Sequence, residues 1–167
     1  ALTTKHFPGG GPQVDGQDPH FDWGKEQHYP GNNFEYHLKP FKSAIDAGTS
    51  AIMPYYAKPI GTDFEEVAFA YNKGVITDVL RTKLGFKGII KSDTGPIFMM
   101  PWGVEDLDMQ ERYTKALAAG VDIFSGTADP AILLETIKSG SVSEERINAS
   151  VRRLLKEKFE LGIFENP

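Results

Sequence analysis

The chain has 167 residues, 40% of them hydrophobic and 25% charged, with a formal net charge of −5. This length and balance suit one ordinary globular domain with a real core and exclude a disordered chain. The acidic balance, without any Lys/Arg-rich run, argues against a nucleic-acid partner. The lack of cysteine excludes disulfides, thiolate metal sites and a Cys nucleophile, and no apolar run approaches the ~18 residues of a membrane helix.

The opening residues, ALTTKHF, read as a strand already under way, so the N-terminus is expected to be cut or processed, and no signal peptide is visible. The compartment stays open, with a periplasmic or secreted setting favoured over the cytoplasm. A Gly/Pro/Asp/His-rich loop then runs to Asn33, and a loop of that length in a compact domain is usually functional or disordered. NFEYHLKPFKSAIDAG places Phe34, Leu38, Phe41 and Ile45 on one helical stripe, with Gly48 as the stop and Pro40 expected to kink or divide the helix. TSAIMPYY is a short apolar strand. FEEVAFAYNKGVITDVLRTKLG, residues 64–85, is helical in pattern. KGIIKSD is a strand, GVEDLDMQERYTKALAAG a helix ending at Gly120, and VDIFSG a strand. DPAILLETIKSG reads as a helix with Asp129 as N-cap and Pro130 at its first position. The last helix has capping-box spacing at Ser141 and Glu144, and Ile147, Val151, Leu154, Leu155 and Phe159 form a stripe expected to pack in the core.

Strands that alternate with helices mean βαβ units and a parallel α/β sheet. In such sheets chemistry sits at the carboxyl ends of the strands. The third strand of this chain delivers Asp93 to that end, where a capping role and a catalytic one are equally open. The other strand ends carry Lys5 and His6, then Met53, Pro54, Tyr55 and Tyr56, then Ser125 and Gly126. A carboxylate, an ammonium, an imidazole and a phenol on one rim suit a polyhydroxylated ligand, because a sugar needs donors and acceptors beside an apolar platform.

TKHFPGGGP, followed by IMPYY and then GFKGIIKSD, resembles glycoside hydrolase family 3, the β-glucosidase and exo-β-glycosidase family. The ending, GVDIF and then VSEERINASVRRLLKEKFELGIF, resembles the close of that family's first domain. The resemblance implies strands five to eight of a TIM-type (β/α)8 barrel, one partial domain over 1–167, with 141–167 as terminal helix and start of a linker. A whole barrel takes about 250 residues. It further implies a retaining exo-β-glycosidase, most simply a β-glucosidase, with Asp93 as the nucleophile that forms a covalent glycosyl intermediate. Lys5, His6, Met53 and Tyr56 would line the sugar subsite, and no cofactor or metal is needed. The substrate would be a β-glucoside or oligosaccharide. The partners would be the missing half of the barrel and a second domain carrying the acid/base, with no nucleic acid or membrane involved. Thr94 replaces the Trp that often follows the nucleophile in this family, and Trp102 is the substitute for that sugar wall. KHFPGGGP lacks the His of the hexosaminidase form, KHFPGHGD, which favours a glucosidase or xylosidase type. His20 keeps the other branch in view, since that branch uses a loop His as its acid/base.

Other readings remain open. Glu26, Glu35, Glu65 and Glu105 are candidate acids by type only and read better as surface carboxylates. His6, Asp15, Asp18, His20, Asp22 and His28 offer ligands for zinc or manganese, without the spacing of any known motif. That would make the protein a metallohydrolase. The Gly9–Gly11 run lacks the Lys-Ser/Thr of a phosphate loop and suits a tight turn. Trp23 and Tyr29 either stack on sugar or pin the loop. A chain with the nucleophile but without the acid would be a non-catalytic carbohydrate-binding or structural fragment.

Overall fold

The computed structural model describes residues 1–126 and 130–165. Its strands are β1 (Thr3–Phe7), β2 (Glu26–Gln27), β3 (Ala51–Pro54), β4 (Lys58–Pro59), β5 (Ile89–Thr94) and β6 (Ile123–Ser125). The apolar runs AIMP and II, flanked by turn residues, pair with their neighbours in parallel, and the main sheet has the order β1-β3-β5-β6. Thr4 lies against Ile52, Ile52 against Ile90, and Lys91 against Ile123. The expected α/β fold with parallel βα units is therefore present. β2 and β4 form a separate parallel pair that ties the long loop to the segment after β3. Two-residue strands leave no periodicity for a sequence to display.

The helices are α1 (Phe34–Asp46), a wide π-type helix (Gly74–Lys83), α2 (Met109–Ala119), α3 (Ala131–Lys138) and α4 (Glu144–Glu160). α1 buries Phe34, Leu38 and Phe41, as its stripe requires. Pro40 does not divide it. The proline and Tyr36, whose carbonyl loses its donor, are both exposed, so water can serve that group. Ile52, Ile76, Leu80, Ile90 and Val121 are fully buried between the sheet and its helices.

Four helix boundaries differ from the sequence expectation. Residues 64–72 hold only a short 3-10 turn, Phe69–Tyr71, because Val67–Tyr71 is buried on every side and leaves no polar face for a surface helix. The π-type helix starts after Asn72, whose Oδ1 accepts from the Val75 N–H at 3.1 Å. α2 starts at Met109 rather than near Gly103, since Asp108 and Glu111 form a reciprocal capping box. α4 is capped by Ser143, whose Oγ accepts from the Arg146 N–H at 3.2 Å, and not by Ser141. Pro130 precedes α3 rather than occupying its first turn, and Asp129 lies outside the described residues.

The apolar stripe of α4 is only partly buried: Ile147 and Leu154 are half-buried and line an apolar cleft with Leu117, Phe124 and Leu133, while the rest of the stripe is open. Val151, Leu155 and Phe159 are 43%, 42% and 60% exposed. The helix is instead held through its polar side. The Asp122 carboxylate is fully buried and accepts from Arg81 at 2.7 Å, Ser150 at 2.5 Å, Arg153 at 2.9 Å and the Ile90 N–H at 3.0 Å. Arg146 lies 3.5 Å away and donates to the Leu117 and Val121 carbonyls. Burial pushes the Arg81 guanidinium down to about 10, against the pull of Asp122. Removal of the carboxylate would leave buried cations unpaired. Asp122→Ala is therefore expected to lower stability in urea unfolding by about 3–5 kcal/mol, whereas Val151→Ser on the exposed stripe should change it by less than about 0.5 kcal/mol.

Candidate active site

Both strands that carry the candidate residues are irregular where those residues sit. In β1, Lys5 pairs with Met53 and Phe7 with Pro54, so His6 is extra. In β5, Lys91 pairs with Ile123 and Thr94 with Ser125, which leaves one residue in excess around Ser92 and Asp93. Such bulges re-aim side chains at the end of a strand. The Lys5–His6 and Phe7–Pro8 peptide bonds are cis. His6 Nε2 lies 3.0 Å from Asp93 Oδ2, and Asp93 Oδ1 accepts from the Thr94 N–H at 2.7 Å. Ser92, fully buried, accepts from the Ser125 N–H at 2.9 Å and donates to the Asp93 carbonyl at 2.8 Å. Asp93 is thus held by its neighbours on two strands, with its side chain still partly open to solvent.

Burial lowers the His6 pKa below its ordinary value, against the opposing pull of the Asp93 carboxylate, while Lys5 and His20 lower it further. At neutral pH the ring is neutral and its Nε2–H donates to Asp93. Lys5 is exposed and forms no ion pair among the described residues. Met53, opposite Lys5 in register, is buried. Tyr56 donates its phenol to the Thr94 carbonyl at 2.6 Å. Burial first, then Asp93, holds that phenol above its ordinary range. Tyr55, the other phenol at that strand end, puts its ring 5.6 Å from that of His6.

The long loop folds over this rim. Gly9, at φ +113°, turns back so that its N–H meets the His6 carbonyl at 2.7 Å, the tight turn expected of the glycine run. Gln27, fully buried, donates to the Gly9 carbonyl and accepts from Tyr29, which is itself buried and pins the loop. Asp18 and His20 form a dyad, with Asp18 Oδ1 2.6 Å from His20 Nδ1. The backbone and side-chain hydrogen bonds of His20 hold the Asp18 carboxyl below its ordinary value. The His20 ring stands edge-on to Tyr56 at 4.8 Å.

Trp102 does not occupy the position expected of it. It is 8% exposed, within the core, and its indole N–H donates to the Pro19 carbonyl at 2.9 Å. A buried indole needs such a partner, and here it serves as an anchor for the loop that carries His20 rather than as a wall for sugar. The candidate acids sit on the surface: Glu35 pairs with Lys83, Glu65 with Lys115, Glu26 with His28 and Glu105 with Lys25. The suggested metal ligands fall into separate pairs, Asp18 with His20, Asp22 with Lys25 and His6 with Asp93, and among the described residues no three converge on one point. A carboxylate gripped by an imidazole N–H, beside a free ammonium and two phenols, can bind hydroxyl groups and present one oxygen to an electrophilic carbon.

The model of the glycosyl hydrolase family 3 N-terminal domain matches residues 1–156. The chain belongs to that family. It is 54% identical over 174 aligned residues to a protein of Aspergillus flavus named probable beta-glucosidase C, covering 98% of this chain and 27% of that one. It is 39% identical to the periplasmic beta-glucosidase/beta-xylosidase of Dickeya chrysanthemi, over 98% of this chain and 29% of that one. In structure it is similar to a glycoside hydrolase family 3 beta-N-acetylglucosaminidase from Paenibacillus sp. str. FPU-7, with a TM-score of 0.79 and 30% identity over 95% of this chain and 30% of that one. This family-3 chain therefore spans under a third of the length of these relatives. No helix among the described residues is long and apolar enough to cross a membrane.

The His6 environment makes a direct prediction. By NMR, the His6 ring should titrate below 6.5, and Asp93→Asn should lower that value further by removing the group that raises it. Because the folded pKa is depressed, the stability contributed by neutral His6 is present above about 6.5 and lost as pH falls through the lowered value. A His6 that titrates above 6.5 would contradict this.

Proposed function

We propose that this chain carries the sugar-binding and nucleophilic half of a retaining exo-β-glycosidase of β-glucosidase type. The observation that supports it is the 3.0 Å contact of His6 with Asp93 at the carboxyl ends of β1 and β5, in a chain whose relatives include proteins named β-glucosidases. Asp93 attacks the anomeric carbon, and the glycosidic oxygen leaves with a proton from an acid. Water then breaks the glycosyl–Asp ester with retention of configuration. Lys5 and His6 hold hydroxyl groups of the bound sugar, and Met53 and Tyr56 shape the same subsite.

We read β1, β3, β5 and β6 as strands five to eight of a (β/α)8 barrel. Among the described residues the outer edges of β1 and β6 are unpaired in the sheet, and Val151, Leu155 and Phe159 of the α4 stripe are exposed. Open parallel edges favour completion by further chain, which fits a chain that spans 27% of its relative. Residues beyond α4 read as the start of a linker. The acid then belongs to another part of the protein, since Glu26, Glu35, Glu65 and Glu105 are tied up in surface pairs. A periplasmic or secreted setting suits this reading, in line with the name of the Dickeya relative.

The Asp18–His20 dyad supports a second reading, in which His20 is the proton donor. The two are separable. If His20 is the acid, His20→Ala should slow hydrolysis of alkyl glucosides by about 10²–10⁴-fold and scarcely affect glycosides with activated leaving groups. An acid from elsewhere predicts small, similar effects on both.

The primary test is intact mass after incubation with an activated 2-deoxy-2-fluoro-β-glucoside. One fluoroglucosyl group on Asp93, absent from Asp93→Asn, is the expected result. Labelling of another residue, or no labelling of a protein that hydrolyses β-glucosides, would refute Asp93 as nucleophile. Inactivity of the intact protein on every β-glycoside would leave a carbohydrate-binding fragment.

A further inference from the structure

We propose that Met99 is a site of oxidation by peroxide, and that its sulfoxide loosens the strand end that presents Asp93. The consequence for activity rests on the glycosidase reading above; the site itself does not. The chain has four methionines. Met53 and Met100 are buried, and Met109 is half-buried against the core. Met99 is 66% exposed. An oxidant in solution must reach the sulfur, so exposure sets one methionine of the four apart. In the reaction the sulfur lone pair attacks one peroxide oxygen and the O–O bond breaks. The sulfur is oxidised by two electrons and keeps that oxygen. The other oxygen leaves as water, taking the proton of the one transferred.

This sulfur covers the turn that follows the nucleophile. Gly95 comes two residues after Asp93, at φ +67°, and the Met99 N–H donates to its carbonyl at 2.9 Å. A Cβ at Gly95 would stand 3.0 Å from Met99 Sδ and 3.3 Å from its Cγ. The thioether therefore lies against the glycine and leaves no room there for a methyl group. The backbone beneath it is fixed by hydrogen bonds. The Thr94 carbonyl accepts from Tyr56 at 2.6 Å, the Pro96 carbonyl from Tyr71 at 2.9 Å and the Ile97 carbonyl from Arg112 at 3.0 Å. The Gly95 N–H donates to the Ser125 carbonyl at 2.9 Å. Sulfoxidation adds an oxygen and a strong dipole to this tight apolar contact. Either the side chain swings away and the turn loses its cover, or the turn itself shifts and strains these bonds. Both outcomes loosen the Thr94 N–H that holds Asp93 Oδ1.

The test treats the intact protein with hydrogen peroxide and follows peptide mass, β-glucosidase activity and the NMR signals of His6. Met99 should gain one oxygen ahead of the other three methionines. In step with that gain, kcat for an aryl β-glucoside should fall about tenfold, with KM little changed. The His6 ring signals should shift, since His6 touches Asp93. Methionine sulfoxide reductase with a thiol should reverse both changes. Met99→Leu keeps an apolar cover without the sulfur, and should retain its activity through the same treatment. Three results would each overturn the proposal: Met99 stays reduced while other methionines react, its oxidation leaves kcat or the His6 signals unchanged, or Met99→Leu is inactivated as fast. An untreated protein that hydrolyses no β-glycoside would overturn the glycosidase reading instead. The Met99 mass and the His6 signals would then decide the oxidation proposal without turnover.

Discussion

The contact between His6 Nε2 and Asp93 Oδ2 organises the rim of this protein. The two residues come from strands that are not neighbours, with β3 between them. Their meeting requires β1, β3 and β5 to be parallel and in one register, with a bulge in each outer strand to turn its side chain toward the other. A slip of one residue in either pairing would turn the whole strand over and part them. The sheet core and the polar pair are thus set by the same registers. Buried Ile52 and Ile90, directly paired, fix the alignment that places Asp93.

The loop above the rim is ordered by hydrogen bonds from buried and half-buried side chains rather than by secondary structure. Gln27 holds the Gly9 carbonyl, Gln13 holds Gly24 and Glu26, and Trp102 holds Pro19. A segment rich in Gly, Asp and Pro has little helix or strand propensity. Its backbone groups therefore need partners from elsewhere, and these glutamine amides and the indole provide them. The same bonds set His20 beside Tyr56 and leave Phe21 and Trp23 outside.

Charge replaces apolar packing at the other end of the sheet. α4 is docked by arginines that converge with Arg81 on Asp122, while Leu155 and Phe159 of its hydrophobic stripe stay exposed and Ile147 and Leu154 are only half-buried. A buried carboxylate among several guanidinium groups is specific in geometry, because each hydrogen bond fixes a direction, whereas an apolar stripe can pack against many surfaces.

The alternation of strand and helix, the buried stripe of α1 and the delivery of Asp93 to a strand end were legible in the residues, since each rests on local periodicity and on turn chemistry at Gly95 and Pro96. Membership of family 3 was legible too, because it is carried by short motifs. The roles of Trp102, Tyr29 and Trp23 were not. The three are alike in sequence, and only burial separates a core anchor and a loop pin from a solvent-exposed ring. The fate of the α4 stripe was equally hidden, because a helical repeat says which residues share a face but not what that face meets. Local pattern therefore specified the set of elements and the residue types at their ends. The tertiary structure alone decided which of those residues meet, because contacts such as His6 with Asp93 and Asp122 with Arg81 join segments far apart in the chain, and no local pattern encodes the register that brings them together.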